Sequence, residues 1–103
     1  MIRHLVALKF KPETSQRDII AIAGALAELE TKLYGIAAFE FRENISPETE
    51  LVRGFGHVFW FDFDTEEDRD EYLADPQHQA VGAQLVAMTE GGKDGIFVCD
   101  FDL

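Results

Sequence analysis

An α+β sandwich, with a four-stranded antiparallel sheet covered on one side by helices, is predicted by three features of this sequence. Four short segments alternate along the chain with a period of two, and two longer ones repeat at helical spacing. Their order is strand, helix, strand, strand, helix pair, strand. That βαββαβ order is the ferredoxin-like arrangement, and in it the first and third strands are expected as parallel central neighbours.

The elements justify themselves in turn. In residues 2–10, Ile2, His4, Val6, Leu8 and Phe10 share one face, and Arg3, Leu5, Ala7 and Lys9 share the other. "KPETS" breaks the alternation, and Ser15 followed by Asp18 resembles a capping box. Ile19, Ile22, Leu26, Leu29 and Leu33 then keep the rhythm of an amphipathic helix, which Gly35 stops. "IAAFEFRE" reads as a second strand with Ala37, Phe39 and Phe41 on one face, and "NISPETELVRG" as a loop.

"FGHVFWFDF" is the clearest strand, setting Phe55, His57, Phe59, Phe61 and Phe63 against Val58, Trp60 and Asp62. Asp64 or Thr65 can cap the short helix "EEDRDEYLA". Pro76 suits a first helical turn and Asp75 is a good N-cap, so a new helix is expected from about residue 76 to about Thr89. "EGGKDG" ends it, and "IFVCDFD" is the last strand.

At 103 residues the chain fits one domain, residues 1–103, and its 47% hydrophobic content with nine Phe is ample for a packed core. A formal charge of −11 with no Lys/Arg cluster argues against nucleic acid and anionic membranes as partners. Cys99 is the only cysteine, which excludes an internal disulfide, and it is expected in the core. "MIRHLVALKF" lacks the unbroken apolar stretch of a signal peptide, and no run approaches membrane-spanning length, so a cytoplasmic location is expected. The glycines form no phosphate-binding pattern. "DFDTEEDRDE" lacks the spacing of a calcium loop and reads as a solvated helix start.

One sheet face packs on the helices. The other would expose Leu5, Val58 and Trp60, and burial against a second copy is the simplest remedy, with Trp60 as anchor. On the helix-facing side stand the histidines. His4 and His57 share faces with large apolar residues and are expected on adjacent strands at the same end. Either one alone reads first as a core histidine hydrogen-bonded to a backbone carbonyl. His78 falls near the third position of its helix, on the face of Val81, Gly82 and Leu85, where a helix N-terminus disfavours imidazolium. A neutral imidazole there could act as a base, with the Tyr72 hydroxyl turned to the same space. The bland alternatives are a helix-start histidine and an interface tyrosine. Three imidazoles could also hold zinc, but their spacing is not that of a compact metal motif, and a metal-free, cofactor-free pocket is expected.

The opening "IRHLVALKFK", the segment "GFGHVFWFDFDTEEDRDEYLADPQHQAV" and the closing "VCDFD" resemble the stress-responsive α/β-barrel (Dabb) family over nearly the whole chain. Its Tyr-x-x-x-Pro-x-His pattern is matched by "YLADPQH", with Gln77 where the commoner form has a small residue. The resemblance implies a homodimer of ferredoxin-like subunits whose sheets pack into a barrel. One plant branch of the family closes linear poly-β-ketones by aldol condensation without metal or cofactor. By that likeness His78 would be the base, Tyr72 would position the substrate carbonyl, and His4 and His57 would bind substrate.

The implied readings are two. One is a cofactor-independent cyclase, lyase or isomerase acting on a carbonyl compound. The other is a non-catalytic, stress-related dimer that binds a hydrophobic small molecule. A cofactor-free monooxygenase is a weaker third, resting on fold analogy.

Overall fold

Alternation in Ile2–Leu8 (β1) buries Ile2, His4, Val6 and Leu8 and turns Arg3, Leu5 and Ala7 the other way in the computed structural model, which describes residues 1–103. The Ser15 hydroxyl accepts the Asp18 N–H at 3.1 Å and opens Gln16–Lys32 (α1), whose Ile19, Ile22, Leu26 and Leu29 are buried. Gly35, at φ 82°, turns the chain into Ile36–Glu43 (β2). A side chain there would collide with the Asp68 carboxylate, so the glycine lets the third helix approach closely.

The segment expected as pure loop contains one helical turn, Thr49–Val52 (α2), closed by left-handed Arg53 and Gly54. His57–Phe63 (β3) supplies Phe59, Phe61 and Phe63 to the core. The Thr65 hydroxyl caps Glu66–Ala74 (α3), accepting the Asp68 N–H at 3.1 Å. Pro76–Met88 (α4) follows after the single residue Asp75. A 3₁₀ turn over Gly92–Gly95 leads into Ile96–Asp102 (β4).

The sheet order is β2-β3-β1-β4 and every pairing is antiparallel, the ferredoxin-like α+β arrangement. The expectation that β1 and β3 run parallel is corrected here. The α1 crossover returns β2 parallel to β1, and the β2–β3 connection then reverses direction, so β3 lies between the two and opposes both. His4 therefore faces Phe61 across the ladder while His57 faces Leu8. The two imidazoles sit at opposite ends, about 13 Å apart along the strands.

A second correction concerns β2. Ile36 pairs with Phe63 and Ala38 with Asp62, so a bulge makes Ala37 the extra residue. Ile36, Phe39 and Phe41 pack on the core, and Ala37 is exposed.

The core lies between the helices and one sheet face, around Leu8, Leu26, Leu29, Phe59, Phe61 and Phe63. Each buried aromatic or leucine contributes roughly 1.5–3 kcal/mol of transfer free energy. The opposite face carries Leu5, Val58 and Trp60, and on β4 it leaves Phe97 58% and Phe101 43% exposed. Cys99 belongs to this face and is exposed, not in the core as expected, because β4 is an edge strand and no helix covers that side. Arg3 clamps Asp62 through two hydrogen bonds of 2.8 and 2.9 Å, and its guanidinium lies 5.0 Å from the Trp60 ring. No helix is long and apolar enough to cross a membrane.

Candidate functional site

Asp75 builds the site by ending one helix and starting the next. Its N–H donates to the Tyr72 carbonyl at 3.1 Å and closes α3, while its carboxylate accepts the His78 N–H at 3.0 Å and opens α4. Pro76 fills the first helical position, where no N–H is needed. The chain thus bends between Tyr72 and His78 and lays the two rings together, centroids 4.0 Å apart. His4 reaches the same place from β1 and meets Tyr72 edge-on at 5.8 Å.

These three side chains line a cavity of about 570 Å³ between the sheet and α3–α4. Most of its wall is apolar, including Val6, Phe59, Leu85 and Val98. Two buried polar atoms have no hydrogen-bond partner: the Tyr72 hydroxyl and His78 Nδ1. Buried polar groups are nearly always paired, so two orphans on neighbouring side chains that line one cavity stand out as a candidate binding point.

Burial pushes the Tyr72 phenol well above its ordinary value, so it stays protonated and can donate. Burial lowers the His78 pKa below 6.5; His4 nearby adds to this, while the Leu73 backbone and the Asp75 carboxylate oppose it. The direction agrees with the one anticipated for His78, and a neutral imidazole beside a protonated phenol is a base next to a hydrogen-bond donor.

His57 is not part of this group. It packs on Phe10 and Phe41 at 5.1 and 5.9 Å and lines a separate shallow cleft with Gln16, Ile19 and Glu43. Its pKa is lowered by burial, with Glu43 opposing. The expected convergence of three histidines is therefore corrected to two, because antiparallel pairing sends His57 to the far end of the sheet. The zinc arrangement weighed from the sequence loses its third imidazole by the same geometry. Gln77 does not line the cavity; Gln79 does.

Sequence reasoning missed Asp100 and Arg69. Asp100 Oδ1 lies 2.7 Å from His4 Nδ1, and its other oxygen accepts from Arg69 Nη1 at 2.7 Å. A carboxylate only accepts, so Nδ1 of His4 carries the proton and a neutral ring holds its lone pair on Nε2. The available signal was the alternation of "IFVCDFD", which sets Asp100 on the face of Ile96 and Val98; only the β1–β4 pairing then places it opposite His4.

The sheet order and the pocketed sheet–helix layer define a ferredoxin-like α+β protein with a tyrosine and a histidine paired at its cavity. More particularly, the chain belongs to the family of the stress responsive A/B barrel domain, whose model matches residues 2–103. The stress-response A/B barrel domain-containing protein HS1 of Arabidopsis thaliana is 26% identical over 100 residues, covering 97% of this chain and 87% of that protein. A dimeric ferredoxin-like protein of unknown function from Jannaschia sp. CCS1 superposes with a TM-score of 0.88 at 29% identity, covering 99% of this chain and 98% of that one. Hydroxynitrile lyase from Passiflora edulis superposes with a TM-score of 0.85 at 19% identity, covering 99% and 92%, a likeness of fold alone.

Proposed function

We propose that this chain is a cytoplasmic, single-domain homodimer whose cavity performs cofactor-free acid–base chemistry on a carbonyl compound, of the aldol-cyclase or lyase type. The observation that carries the reading is the pair of unpartnered, buried polar atoms, Tyr72 Oη and His78 Nδ1, on adjacent side chains that line one largely apolar cavity. His78 would remove a proton next to the carbonyl, and the Tyr72 hydroxyl would hydrogen-bond the developing enolate oxygen. His4, oriented by Asp100, would bind the substrate on the other side of Tyr72. A hydroxynitrile lyase among the structural neighbours makes carbonyl chemistry congenial to this fold.

The test is deuterium exchange at the α-carbon of 2-nonanone in D2O, followed by proton NMR. Wild-type protein should accelerate it and His78→Ala should not, with the fold intact by circular dichroism. Equal rates for the two proteins would remove the catalytic reading.

A second reading, a non-catalytic dimer binding a hydrophobic small molecule, is favoured by the apolar majority of the cavity wall. Binding without exchange would select it. Dimerisation itself is supported by the uncovered apolar sheet face of Leu5, Val58 and Trp60 and by the dimeric Jannaschia relative.

A further inference from the structure

We propose that the cavity takes an elongated carbonyl compound bearing an anionic group at its far end, and that Lys93 is the residue that selects for that charge. The inference rests on the acid–base reading of the cavity and adds the chemistry of the ligand's other end. The cavity wall follows one face of α4, through His78, Gly82, Leu85 and Val86. From His78 to Val86 a helix advances about 12 Å. The floor runs the same way, from His4 beside Asp100, through Val6 beside Val98, to Ile96.

The 3₁₀ turn bearing Lys93 is fastened at that second end, where the Lys9 N–H donates to the Gly95 carbonyl at 2.8 Å. The slot therefore has two chemically different ends. Tyr72, His78 and His4 hold one, Lys93 marks the other, and apolar side chains line the length between them.

Lys93 is exposed and, like Lys9, Lys11, Arg17 and Arg53, belongs to none of the protein's ion pairs. It is also the one lining side chain with a fixed charge; the others are neutral or imidazole. On a surface that repels anions generally, an uncompensated ammonium at a cavity rim is a local attractor for one. A carboxylate there leaves an apolar chain to fill the slot and a carbonyl to reach the orphaned hydroxyl.

The experiment compares two nine-carbon ketones, 8-oxononanoate and 2-nonanone, which differ by the terminal carboxylate, by calorimetric titration of the full chain. Wild type should bind the keto acid several-fold more tightly. Lys93→Met should weaken the keto acid by about fivefold, the scale of a part-exposed ion pair, and leave 2-nonanone within about twofold. Lys93→Arg should keep the preference and added salt should erode it. Equal affinities in the wild type, no binding of either ketone, or equal losses for both in Lys93→Met would overturn the inference. Loss of α-proton exchange with the Lys93-dependent preference intact would instead reject the acid–base reading and leave this one standing.

Discussion

Replacing Tyr72 by Phe should make the unliganded protein more stable and less active. The ring is 1% exposed and packs on Phe61, Phe63 and His78 at 4.9, 5.1 and 4.0 Å, contacts that Phe would keep. Only the hydroxyl goes, and in the folded chain it has no partner. An unsatisfied buried polar group costs about 1–3 kcal/mol. At the low end of that range, Tyr72→Phe should gain about 1 kcal/mol. For a domain of this size that raises Tm by roughly 4–8 °C. Urea and thermal unfolding, followed by Trp60 fluorescence at one fixed protomer concentration, would measure it. α-Proton exchange should fall in the same variant by about 100-fold or more, as expected when a donor to a developing oxyanion is lost. A loss of about 1 kcal/mol in stability would show that the hydroxyl is already bonded in the folded protein, and the reasoning would fail.

Two further outcomes follow from the geometry. Trp60→Glu sets an unpaired charge on the apolar sheet face; if that face is the dimer contact, the cost is several kcal/mol, and sedimentation should show monomer or aggregate where wild type is a dimer. His78 should titrate below 6.5 by NMR, because burial holds it there. Between its lowered pKa and 6.5 the folded protein binds fewer protons than the unfolded chain. Its contribution to stability is therefore complete above about pH 6.5 and lost as pH falls through that window. The acid limb of the exchange rate should share the lowered midpoint, and a normal His78 titration would contradict both.

How far the residues alone led depended on whether the deciding interaction was local. Ser15 and Asp75 cap helix starts through contacts within three residues, as read, with Pro76 in the first turn, and of the two candidates Asp64 and Thr65 it is Thr65 that caps. His78 and Tyr72 meet because one such local break lies between them. The errors came from pairing. Strand direction decides whether His4 and His57 meet; it follows from the order of the connections, which reverse the chain between β2 and β3, and not from any side chain in either strand. The Ala37 bulge shifted a face by one residue, which alternation cannot reveal from inside β2. Asp100 lies 96 positions from His4, and their contact exists only through the sheet. Cys99 looked like core because an edge strand with one uncovered face has the same alternation as a covered one.

Asp75 serving two helices at once has a consequence for what the chain can tolerate between Tyr72 and His78. Each residue added to or removed from a helix turns everything beyond it by about 100°. An insertion after Asp75 would leave both caps plausible and every side chain of the pair present, yet swing the imidazole away from the tyrosine. Spacing, then, is as much an ingredient here as residue type. Loops elsewhere in the molecule can lengthen at small entropic cost, whereas this junction has no slack: a variant with one extra alanine before His78 should fold, keep its composition, and lose the 4.0 Å ring contact on which the site depends.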